Sequence, residues 1–216
     1  MPLRSMPLTC RRLPLTILLL SVLLFCAFQS STYAAPLNDA WYQRWGSSPA
    51  LVRQGDWARL FTSMAFTAGG IRLYSSSLML VIGVGTAEAI YGSWRAFATF
   101  FGIHLITLLT MGVAISIAAK LEWSRAELLF SAIDVGPSAG YHGCLGLVIA
   151  SRKPRLRQVA LIVIMAVLVT RLGWSAVHVP DHGRVLSADL AHAIAFPLGV
   201  ASARLRVNTE CFSAQV

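Results

Sequence analysis

Charge is scarce in this chain of 216 residues: only 12% are Asp, Glu, Lys or Arg, and nine are acidic. With 56% hydrophobic residues and a mean hydropathy of +0.65, too little polar surface remains for a soluble globule of this length. The composition points to an integral membrane protein. The four cysteines, Cys10, Cys26, Cys144 and Cys211, form no CxxC and no Cys/His ligand spacing. That pattern argues against structural disulfides and zinc, and no cofactor is expected. No linker and no internal repeat divides the chain. The net charge of +9 is dispersed between apolar segments rather than gathered in a stripe with interleaved aromatics, so nucleic acid is not an expected partner.

The sequence does contain long apolar runs. Hydrophobic spans are expected near 13–28, 60–90, 97–119, 138–150, 159–174 and 186–203. The strongest basic run, Arg152-Lys153-Pro154-Arg155-Leu156-Arg157, separates the fourth and fifth. With that run cytoplasmic, alternation places ten basic residues inside (Arg4, Arg11, Arg12, Arg95, Arg152, Lys153, Arg155, Arg157, Arg204, Arg206). Six lie outside: Arg44, Arg53, Arg59, Lys120, Arg125 and Arg184. The bias predicts an all-α, multi-pass bundle of six transmembrane helices with both termini cytoplasmic, and a bacterial inner (plasma) membrane is the expected location. Residues 1–35 then form a basic tail and first helix, 36–206 the membrane domain and 207–216 a C-terminal tail. Arg11-Arg12, the leucine-rich stretch and Thr32-Tyr33-Ala34 also fit a cleaved signal peptide. The segment 38–59, with Trp41, Tyr42, Trp45 and Trp57, reads as a loop resting in the headgroup region.

Ser138 opens the fourth span and His192 lies about a turn and a half into the sixth. Both spans run inward from the outer face, so the two residues are expected at similar depth. A serine hydroxyl needs a positioned base to act as a nucleophile, and His192 is the candidate. Span four is too short to cross about 30 Å of hydrocarbon, which implies shielding by other helices with water above it. Small residues Gly136, Ala139, Gly140, Gly143 and Gly146 suit close helix packing. Asp134 and Asp189 are expected near the water boundary, solvating helix entrances. His104 reads as structural, and His178 and His182 as solvated loop residues. Arg72 and Arg171 lie within spans, where an ionisable group faces protein or water.

These residues resemble the rhomboid intramembrane serine proteases. Gly136-Pro137-Ser138 stands in the place of the family's Gly-x-Ser, and Ala191-His192 followed by Gly199 in the place of its last-helix Ala-His-x-x-Gly-x-x-x-Gly. Residues 57–66, beginning Trp57-Ala58-Arg59, look like the family's approach to the second helix, and Glu88-Ala89-Ile90-Tyr91-Gly92-Ser93-Trp94-Arg95 like that helix's exit. The resemblance spans roughly 57–203. It implies an intramembrane serine endopeptidase that uses a Ser138–His192 dyad without a third carboxylate, acting on a transmembrane protein substrate in the lipid bilayer.

The departures are specific. The family's oxyanion donors, a histidine and an asparagine four residues later on the second helix, correspond here to Arg72 and Ser76. Ala195 replaces the first glycine of the last-helix pair, Ala139 the glycine after the serine, and His142 a frequent tyrosine. His142-Gly143 is similar to the rhombosortase branch, thought to process C-terminal sorting segments, and His142 is placed to stack under His192 or to donate to it, or equally to be a buried histidine satisfied by a carbonyl. Gly136, Arg72, Ser76 and His142 are therefore the expected supporting residues. A catalytically inactive rhomboid-like protein that binds membrane clients is the alternative that the altered donors leave open.

Overall fold

The computed structural model describes residues 13–123 and 125–205. The expected tails carrying Arg4, Cys10, Arg11, Arg12, Arg206, Cys211 and the segment 207–216 lie outside the described residues. Among those described, the chain is all-helical, without strands. α1 is Pro14–Gln29, followed by three short helices, α2 (Asp39–Trp45), α3 (Pro49–Arg53) and α4 (Arg59–Thr62). α5 (Ile71–Met79) passes through a π-helical stretch, Leu80–Gly85, into α6 (Thr86–Tyr91). α7 (Ser93–Lys120) and the short α8 (Ala126–Ser131) precede α9 (Ser138–Ala150), α10 (Pro154–His178) and α11 (Arg184–Ser202).

Four helices are long and apolar enough to cross a membrane: Ile71–Tyr91, Ser93–Lys120, Pro154–His178 and Asp181–Ser202. α1 and α9 are apolar but shorter, at 16 and 13 residues. Along α10, Ile162, Val163, Val167, Val169 and Val177 are all exposed. A soluble monomer does not sustain such an apolar face, and with the long apolar helices it marks an integral membrane protein.

The second expected span, 60–90, is broken. Leu60 and Phe61 belong to α4, a 3₁₀ turn covers Ser63–Ala65, and Phe66 is extended. Gly69 and Gly70 then adopt φ of +76° and +56°, reversing the chain before the membrane helix starts at Ile71. Apolar composition alone runs through this corner because Met64 and Phe66 are buried in it. Arg59 holds the corner by donating to the carbonyls of Gln43 and Gly46, and the Thr62 hydroxyl donates to Trp45 O.

α9 lies in the middle of the bundle, and its most extensive partner is α11. The two run parallel: Ser138 and His192 line one cavity, and Gly143 meets Gly199 further along. At that crossing a Cβ on Gly199 would overlap the Gly143 carbonyl, so only glycine permits this backbone separation. Glu88 ties α1 to the turn between α6 and α7. Its buried carboxylate accepts from Leu15 N and Thr16 N at 2.9 Å and from the hydroxyls of Thr16 and Ser93 at 2.7 Å. It thereby satisfies N–H groups that the first turn of α1 cannot pair internally. Arg95 donates to the carbonyls of Ser202 and Leu205, bringing the start of α7 to the C-terminal end of α11. The 152–157 basic run follows the C-terminal end of α9, on that same side of the bundle.

Candidate active site

Ser138 is delivered by a short extended segment rather than by a helix end alone. Asp134 exchanges two backbone hydrogen bonds of 2.9 Å with Ser47, and Gly136 N donates to Ser63 O at 2.9 Å. Gly136 has φ +148°, a conformation that L side chains rarely adopt, and the chain then enters α9 at Ser138. Asp134 Oδ1 accepts from Val135 N at 2.8 Å, and burial pushes its carboxyl up to about 7.

A cavity of about 230 Å³ opens where α5, α9, α10 and α11 converge, and Ser138, His192, Gly136, Arg72, Ser76 and Arg171 all line it. Five of the residues anticipated for the site therefore share one space. His142 is the exception: it lies behind His192, the two rings stacked with centroids 4.2 Å apart. Its Nδ1–H donates to the Ser138 carbonyl at 2.9 Å, which fixes the ring plane. Ser76 is buried and lines the cavity together with Tyr141. Arg72 is exposed and lies 3.8 Å from Asp181. At the rim Arg184 pairs with Asp39 at 2.7 Å and covers the Tyr42 ring, and that guanidinium holds the Asp39 carboxyl below its usual range.

No protein-family model, curated protein or solved structure matches this chain.

The chemistry of the site therefore rests on its own geometry. Among the described residues, the buried Nε2 of His192 has no hydrogen-bond partner, and no hydrogen bond joins it to Ser138. A buried imidazole nitrogen without a partner is uncommon and leaves a donor or acceptor site open on the ring, and bonds to such groups are often long until substrate is bound. A second, mostly apolar cavity of about 490 Å³ runs along α7 past Leu108 and Met111 and also reaches Ser138. His104 borders that cavity, its Nε2 donating to Leu60 O at 3.0 Å.

Asp189 is where the structure departs most from the sequence reading. It does not solvate a helix entrance: it is 2% exposed, and Arg171 pairs with its Oδ1 at 2.9 Å. The spacing to His192 was visible in the sequence, but burial and the partner from α10 were not. Asp134 is likewise drawn inward, lining both cavities.

Proposed function

We propose that the protein is an intramembrane serine endopeptidase of rhomboid type, with Ser138 as nucleophile and His192 as base. The observation that carries this reading is the cavity that Ser138 and His192 both line, with the buried Nε2 of the histidine unpaired. Ser138 Oγ attacks a scissile carbonyl while His192 Nε2 takes its proton, and the imidazolium then protonates the leaving amine. Water reverses the sequence to release the acyl group. The donors available to the oxyanion are the Ser76 hydroxyl, the Arg72 guanidinium and backbone N–H groups at the start of α9, where Gly136 keeps the approach open. Substrates are transmembrane or C-terminal sorting segments. α1 and α9 complete six spans, with both termini cytoplasmic, in a bacterial inner membrane.

The unformed Ser138–His192 bond and the Arg72–Asp181 proximity favour a second reading, a catalytically inactive relative that binds membrane clients. Fluorophosphonate labelling and cleavage of membrane substrates separate the two. The protease reading expects labelling at Ser138, and cleavage lost in both Ser138→Ala and His192→Ala at unchanged protein level. Cleavage that survives both substitutions refutes it.

A further inference from the structure

Asp189 precedes His192 by one turn of α11, and its carboxylate is 2% exposed. Oδ1 receives Arg171 Nε at 3.0 Å and Nη2 at 2.9 Å. The same oxygen stands 3.9 Å from His192 Nδ1, whereas Oδ2 is buried without a partner among the described residues. A packing ion pair does not account for this arrangement. The Arg171 side chain is 58% exposed and is solvated without help, so burying the carboxylate gains little from that pair alone. The imidazole is instead framed on two sides, by Asp189, whose Oδ1 is the carboxylate oxygen nearest Nδ1, and by the stacked His142 ring, while the buried Nε2 has no partner among the described residues.

We infer that Asp189 is a positioning residue that holds His192 as the Nδ1–H tautomer, with Arg171 clamping the carboxylate in place. The inference rests on the proposed Ser138–His192 chemistry and extends it from two residues to three. As the Ser138 Oγ–carbon bond forms and the carbonyl electron pair moves to oxygen, Nε2 gains the hydroxyl proton. The ring then carries a positive charge in a site with little water, where an unpaired charge is costly. Asp189 supplies the fixed opposite charge, and the Nδ1–H to Oδ1 distance closes as the ring becomes cationic. The Nε2 proton passes to the amine nitrogen as the carbon–nitrogen bond breaks, and the ring is neutral again.

The test uses the full chain in lipid vesicles in three forms: wild type, Asp189→Asn, and Asp189→Asn with Arg171→Gln, which removes both charges together. Nitrogen-15 NMR of His192 reads the tautomer, and the rate of fluorophosphonate attachment to Ser138 reads reactivity. The expected result is a single Nδ1–H tautomer in wild type that is lost in Asp189→Asn, with labelling slowed at least about tenfold. The double variant stays slow. Recovery of the wild-type rate in the double variant overturns the inference, because Asp189 would then serve only to neutralise Arg171. An unchanged tautomer in Asp189→Asn overturns it too. If Asp189→Asn does not fold, the double variant, whose two amides can pair, supplies the same comparison. Absence of labelling in wild type refutes the hydrolase reading, while the tautomer comparison still decides whether Asp189 orients His192.

Discussion

Replacing Gly199 by alanine should force α9 and α11 apart at their closest approach and disturb the site two turns away. A Cβ at this position would stand 2.7 Å from the Gly143 carbonyl carbon and 2.8 Å from its Cα. Carbon atoms pack at about 3.5–4.0 Å, so the backbones must separate by roughly 1 Å. Neither partner is a side chain that can swing away. Overpacking of this kind costs about 1–3 kcal/mol, and the upper end is expected because backbone meets backbone. His192 sits N-terminal to Gly199 on α11 and Ser138 N-terminal to Gly143 on the parallel α9, so the separation propagates along both helices to the cavity. A displacement of about 1 Å between reacting groups can lower the rate about 10²-fold. Thermal unfolding in detergent and the fluorophosphonate labelling rate measure the two effects. Gly173→Ala on α10 is the control, since a Cβ there meets nothing within 4 Å. It should be neutral or stabilising by up to about 1 kcal/mol, as for any glycine in a helix interior. If Gly199→Ala unfolds and labels like wild type, the close-packing argument is wrong.

Three other perturbations test separate parts of the structure. Glu88→Ala removes an acceptor shared by Leu15, Thr16 and Ser93, and should cost about 3 kcal/mol while exposing the α1 segment to limited proteolysis; unchanged protease resistance around α1 would contradict the tie. Asp134, with its carboxyl raised from 3.8 to about 7 by burial, holds its proton in the fold at pH values where the unfolded chain has released it. Stability from this group is therefore full below its unfolded value and declines as pH rises toward neutrality, and Asp134→Asn should flatten that decline in melting curves taken across the interval. His142→Tyr should retain more labelling than His142→Ala, because both lose the hydrogen bond to Ser138 O but a phenol ring can restore the stack against His192; the reverse order would exclude a mainly stacking role for His142.

Much of the helical framework could be read from apolar runs and their breaks. α9 occupies the anticipated 138–150 stretch, and α7, α10 and α11 begin and end within a few residues of the expected spans. Those boundaries are local properties: a proline at the start of α10, a basic run across that start, and the apolar length that follows. The corner at 63–70 was not legible, because hydropathy records that Met64 and Phe66 avoid water without recording whether they do so against lipid or against protein.

The same distinction governs the site. Residue order was enough to pair Ser138 with His192, a hydroxyl and an imidazole at similar depth on two apolar spans, while Arg72, Ser76, Gly136 and His142 were nominated only through the resemblance of the surrounding motifs. Order could not say that five of them line one cavity while His142 supports it from behind, nor that Asp189 is buried against Arg171 and close to the imidazole. A helix repeats its faces every 3.6 residues whatever surrounds it, so sequence determines which residues share a face. Which face meets lipid, water or another helix depends on how closely α9, α10 and α11 approach one another. That distance is set by backbone contacts between glycines far apart in the chain.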